Sequence, residues 1–306
     1  MGPGRAYGPM GVRVAGIQTN LRVILLTVLC GWGCSETPGR VLIIGIDGAS
    51  PRMTGPLIEA NRLPNLAGLA EQGVSGPLRS VLPLFSPRIW NTIATGRRPG
   101  DHGIVSFVKP DPQKQQKNRE LYLSFDRQVP ALWNIVSAGG LSVAVVNWWT
   151  TYPPEIIDGV MVSDHFFPEQ IAGLKETFKD TRPSTGALIH PESWTPRAES
   201  LLADTTPLTS TANPFVDNPA LPHWVNKPLL ANQYETDQQI TRIALGIEED
   251  FHPDVLMVFM PGIDRASHWL WGNLEPEETY PPTLRPTPEE RRAGIAALEN
   301  YYVFTD

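Results

Sequence analysis

Two apolar runs of one design, set far apart in the chain, most constrain its fold. "RVLIIGIDGAS" (40–50) and "DVLMVFMPGID" (254–264) each carry an unbroken aliphatic row, then a turn and an aspartate. A strand wet on one face alternates apolar and polar residues. A continuous apolar row marks a strand covered on both faces, as in a parallel sheet between two helical layers. "LSVAVVNWW" (141–149) and "GVMVSDHFF" (159–167) read as further strands, and "VSGPLRSVLP" (74–83) as another short one. Helical patterns fall between them: "LIEANRLPNLAGLAEQG" (57–73), "PALWNIVSAGG" (130–140), "QYETDQQITRIALGIEED" (233–250) and "TPEERRAGIAALENYYVFTD" (287–306). The last opens with Thr287 as cap and Pro288 at the first helical position. Strands alternating with helices define an α/β fold, a mostly parallel sheet flanked by helices on both faces. Residues 168–230, rich in Pro, Thr, Asn and Ser, break the rhythm and read as an inserted cap-like region that could shape a pocket.

At 306 residues and 41% hydrophobic, the chain can bury the core of one large α/β domain, here taken as residues 39–306. Residues 1–38 read as a leader and linker. Arg5, Arg13 and Arg22 precede "VILLTVLCGWGC" (23–34), a run far shorter than the roughly 20 residues of a membrane span and suited to a secretory signal. Both cysteines, Cys30 and Cys34, lie there, so the body carries no disulfide framework. "WGCSE" is similar to a bacterial lipoprotein cleavage site, departing from it at Gly31. The expectation is export to the periplasm or cell envelope, with membrane attachment through a lipidated Cys34 as a candidate. A net charge of −7 offers no basic footprint for nucleic acid.

In open parallel sheets, ligands gather at the carboxyl ends of the strands. Asp47 and Asp264 both sit at such ends. In "LFSPRIWNTIATG" (84–96), Ser86 suits a helix cap, Pro87 the first helical position and Gly96 the stop. Ser86 is thus either a structural cap or a nucleophile placed at the positive end of a helix. Asp264 and His268, four apart in "IDRASHW", share one face of a helical turn and could chelate one ion. No GxSxG elbow is present and no His lies near Ser86. A metal ion could replace the missing base by lowering the pKa of the hydroxyl.

Taken in order, "VLIIGIDGAS", "LPNLAGLAEQGV", "FSPRIWNTIATGRRPGDHGI", "TYPPE" and "GIDRASHWLW" resemble the type I phosphodiesterase/nucleotide pyrophosphatase branch of the alkaline phosphatase superfamily. The resemblance spans residues 40 to about 270. It implies a metal-dependent phosphohydrolase acting on small-molecule phosphate esters, with two divalent ions, zinc by analogy. Asp and His donors would also hold manganese or iron. By the same analogy Asp47 would bind one ion, Ser86 would be the nucleophile bridging toward it, and Asp264 and His268 would bind the other. The implied chemistry is in-line attack by Ser86, a phosphoserine intermediate, then hydrolysis.

The family also takes an Asp-His pair, usually "SDHG", and a further His from sequence beyond the Asp-x3-His motif. This chain ends at Asp306, so the expectation is an N-terminal part of a longer enzyme with half-built metal sites. "GDHG" (100–103) belongs to the motif after the nucleophile helix, and "SDHF" (163–166) falls in the wrong order. Asp164 and His165 remain pocket candidates only as residues at a strand end. Where pyrophosphatases carry an Asn after their HGI motif, this chain has Ser106 and Phe107, which counts against nucleotide substrates. Trp148, Trp149 and Tyr152 in "NWWTTYPPE" are candidate substrate-binding walls, with aromatic packing as the alternative. Two rival functions stand: a phospho-group transferase using an alcohol acceptor, and a non-catalytic binding lipoprotein.

Overall fold

Four of the expected apolar runs, those at 40–50, 141–149, 159–167 and 254–264, hold strands. The computed structural model describes residues 39–110, 120–279, 281–282 and 285–306; the expected leader, with Cys30 and Cys34, lies outside the described residues. The strands are β1 (Val41–Ile46), β2 (Val143–Val146), β3 (Gly159–Val162), β4 (Ile189–His190) and β5 (Val255–Met260). They lie in the order β1-β5-β2-β3-β4, with β1, β5, β2 and β3 mutually parallel and β4 antiparallel to β3. The helices are α1 (Pro51–Glu59), α2 (Pro64–Gln72), α3 (Ser86–Thr95), α4 (Pro99–His102), α5 (Leu132–Ala138), α6 (Pro168–Phe178), α7 (Thr195–Ala203), α8 (Lys227–Phe251), α9 (Gly262–Leu270) and α10 (Pro288–Thr305). Residues Arg40–Asp306 make one compact unit.

The period-two geometry of β5 shows why its row is unbroken. Leu256, Val258 and Met260 pack on Ile240, Ile243, Ala244 and Ile247 of α8. Val255, Met257 and Phe259 turn the other way, toward Ala94 of α3 and Trp133 of α5. Both faces are therefore buried under helices, as the α/β reading requires. The strand β1 departs from it. It is a sheet edge, and Val41, Leu42 and Ile44 are half exposed because no described element covers its outer side.

The expected strand at 74–83 does not form. Val74, Leu78 and Leu82 are exposed, and residues 74–80 carry no regular structure. Pro77 and Pro83 remove ladder donors, which disfavours pairing there. Helix α8 begins six residues before the expected Gln233, because Asn226 caps it by accepting a hydrogen bond from Leu229 N. Helix α10 starts as expected, with Thr287 and Glu290 forming a reciprocal capping box. Of residues 168–230, β4 extends the sheet and α7 packs its Ala198 against α8; residues 204–226 hold no helix or strand.

Candidate active site

The strand ends bring the two aspartates together. Asp47 N bonds Met260 O at 3.0 Å, carrying the β1–β5 pairing one residue past the strand. Gly48 follows at φ +73°, and a Cβ placed there would lie 2.5 Å from Asp264 Cα. Only glycine allows that turn and that approach. The first turn of α9 therefore packs directly on the turn after β1, and Asp47 and Asp264 become neighbours.

Ser86 is not the cap. Phe85 holds the N-cap position with extended backbone and no side-chain capping bond, and Ser86 opens the helix as its first residue. Instead the hydroxyl lies against the Asp47 carboxylate. Gly96 ends the helix in the left-handed region, as expected. Burial pushes the Asp47 carboxyl up to about 6, and the negative charge of Asp264 pushes it the same way. Ser86, Trp90 and the backbone of Gly48 offset part of this, although Trp90 Nε1 lacks full hydrogen-bond geometry. His268 Nε2 lies 3.4 Å from Asp264 Oδ2 on the exposed side of α9. Its pKa is raised, chiefly by Asp264, with Asp47 adding to the effect.

Helix α9 is anchored from below. Tyr301 of α10 donates to Asp237 Oδ2 at 2.9 Å, and Gln233 Nε2 reaches Asp237 Oδ1 at 3.2 Å. Burial raises the Asp237 carboxyl to about 7. Arg265, half-buried, bonds Gln233 and lies in the field of Asp237, Asp264 and Asp47. A Cβ on Gly262 would sit 1.8 Å from the Tyr301 hydroxyl and 2.0 Å from Asp237 Oδ2. Gly262→Ala is therefore expected to destabilise the fold by about 3 kcal/mol, at the upper end of overpacking costs. Denaturant unfolding checks this, and a loss under about 0.5 kcal/mol would refute the anchor.

The sequence motifs not given a catalytic role have structural ones. His102 is fully buried, accepts from Ile104 N at Nδ1 and sits 3.0 Å from Thr92 Oγ1 through Nε2. Glu155 of "TYPPE" takes hydrogen bonds from Arg127, Trp133 and Asn134. Asp164 is buried, which raises its pKa to about 6, and it accepts from Thr150 N at 2.8 Å. Thr150 holds φ +59° and donates to Asn91 Oδ1, while Asn91 Nδ2 bonds Pro87 O at the start of the Ser86 helix. Asp164 thus braces the Ser86 helix from behind, a task its strand-end position alone did not reveal.

Trp148 is fully buried, donates to Trp90 O and packs edge-on against Trp90 and Phe259. Trp149 is nearly as buried, against Phe107 and Phe259. Both are core side chains. Tyr152 lines a cavity with His165 and Lys175.

Among the described residues, no group of three or more His, Cys, Asp or Glu side chains is set to hold one ion. The assembled donors are two carboxylates acting repulsively on each other, one hydroxyl and one imidazole. That donor chemistry fits a divalent cation, whose charge would remove the repulsion.

Strand-end carboxylates and a helix-tip hydroxyl on a mostly parallel sheet define an α/β protein with its candidate site at the carboxyl edge of the sheet. The family model for type I phosphodiesterase / nucleotide pyrophosphatase matches residues 41–287, and the chain belongs to that family. Two solved structures of phosphonoacetate hydrolase from Sinorhizobium meliloti 1021 are similar. The complex with phosphonoformate shares 16% identity at a TM-score of 0.49, and the complex with phosphonoacetate 16% at 0.45. Each comparison covers 87% of this chain and 52% of the other, so the chain spans about half the length of these relatives. No curated protein matches the chain.

Proposed function

We propose that this protein hydrolyses phosphate esters, phosphodiesters above all, with Ser86 as the nucleophile and divalent metal as the cofactor. The observation that carries this reading is the Ser86 hydroxyl lying against Asp47 while Asp264 and His268 converge on the same strand ends. Ser86 Oγ forms a bond to phosphorus as the bond to the leaving oxygen breaks, and its proton is released on the Asp47 side. The amino end of α3 favours the phosphoryl charge. A bound divalent ion, held by Asp47 and Ser86 or by Asp264 and His268, supplies charge neutralisation and a lower hydroxyl pKa. The resulting phosphoserine is then hydrolysed.

Phe107 occupies the stretch where the family's pyrophosphatases carry an Asn, and it packs on Phe85 beside the nucleophile. This supports a non-nucleotide ester. Assay of an aryl phosphodiester with an added simple alcohol separates the main reading from its rival. Hydrolysis products alone support a phosphodiesterase, whereas transfer of the phosphoryl group to the alcohol makes it a transferase. No turnover with either acceptor favours the binding-lipoprotein reading. The leader motifs support export, with Cys34 as the lipidation candidate; metabolic lipid labelling of the wild type against Cys34→Ser tests that part.

A further inference from the structure

A second polar constellation lies on α6 and the loop after it, outside the strand-end cluster. A cavity of about 220 Å³ is lined by Tyr152, His165, Lys175, Asp180, Arg182 and Ser184, among others. Ser184 Oγ stands 2.9 Å from His165 Nδ1 and 3.0 Å from Lys175 Nζ. The imidazole lies flat on the Tyr152 ring, centroids 4.1 Å apart and planes inclined by 12°.

The donors and acceptors here do not balance. Asp180 is committed: both its oxygens hold Arg182, and it also accepts from Leu121 N. Lys175 forms no ion pair with any carboxylate among the described residues. Two of its protons go to Arg182 O and Ser184 Oγ, which leaves the third to the cavity. Burial, with Lys175 and Arg182 nearby, pushes the His165 imidazole down to about 3, so the ring is neutral. Nδ1 and Ser184 Oγ share one hydrogen bond whose direction follows the ring's tautomer, and Nε2 makes no hydrogen bond to protein among the described residues. The cavity therefore offers the third Lys175 proton, on a cation with no ion-pair partner among the described residues, beside an aromatic wall.

We propose that this cavity binds a small oxyanion group, a carboxylate or a phosphate, with Lys175 as its counter-ion and His165 and Ser184 as hydrogen-bonding partners. The site does not depend on Ser86 chemistry.

Titration of the native protein with inorganic phosphate and, separately, with acetate tests this, with EDTA present so that bound metal cannot hold the anion. Saturable binding with movement of the His165 ring signals in NMR spectra is expected. Lys175→Met should weaken binding at least tenfold, Lys175→Arg should largely retain it, and Ser86→Ala should leave it unchanged. A preference for phosphate over acetate, or the reverse, identifies the ligand class. Unmoved His165 signals in the wild type would overturn the proposal without recourse to any variant. So would affinity that survives Lys175→Met, or affinity that is lost in Ser86→Ala.

Discussion

Ser86→Ala is expected to lower kcat for an aryl phosphodiester by roughly 10⁴-fold or more, with the melting temperature nearly unchanged. The size follows from what a nucleophile does: without it the covalent route is closed, and binding and electrostatics support only a residual rate. The stability half of the result follows from the helix. Ser86 is not the cap residue, since Phe85 holds that position and Ser86 is the first residue of the helix. A structural cap would instead cost about 1 kcal/mol on truncation. A variant that loses stability but keeps its turnover would return Ser86 to a structural role. Steady-state kinetics and a thermal melt on the same preparation decide between the two.

Asp47→Asn is expected to stabilise the metal-free protein at pH 7.5 and to weaken its stabilisation by metal. The Asp47 carboxyl has a folded pKa of about 6 against an ordinary 3.8, through burial first and the Asp264 charge second. A carboxyl whose pKa is raised by folding binds its proton more tightly in the folded state. Its contribution to stability is therefore most favourable at low pH and declines as pH rises from about 4 through about 6. About two pH units correspond to about 3 kcal/mol of accumulated cost at pH 7.5. Asparagine carries no charge, so the variant should exceed the wild type by about that much in EDTA, and the difference should vanish near pH 4. Zinc should reverse the order, because the wild type alone gains a ligand for the ion. Denaturant unfolding at pH 4 and 7.5, with EDTA or zinc, checks all four points. Equal stabilities at pH 7.5 in EDTA would contradict the raised pKa of the buried Asp47 carboxyl.

Much of the site was legible because its residues sit at the ends of strands whose apolar rows are hard to misread. Asp47 after "VLIIGI" and Asp264 after "VLMVFM" fall at the same edge once those strands are parallel neighbours, which they are. His268 followed from a spacing of four on a helix. Less was legible where tertiary packing decides. The continuous row of β1 reads as doubly buried, yet an apolar row cannot report whether a neighbour covers it, and β1 is an edge. The 74–83 segment has aliphatic content but prolines that break a ladder. Asp164 looks like a strand-end ligand in sequence. Only folding shows its oxygens turned to the backbone of the Thr150 turn, where they brace the Ser86 helix. Ser184 and Lys175 lie in a stretch without a motif, and what joins them to His165 is a loop return that periodicity cannot predict.

The central claim is that Asp47, Ser86, Asp264 and His268 work as one metal-assisted phosphoryl-transfer centre. The most direct measurement is metal content by elemental analysis after zinc loading, taken with phosphodiester turnover on the same samples of wild type, Asp47→Asn and Asp264→Asn. The account predicts that turnover in the wild type rises with bound metal, and that both variants lose metal and turnover together. Turnover that persists after EDTA treatment, or metal retained at wild-type levels in both variants, would contradict it.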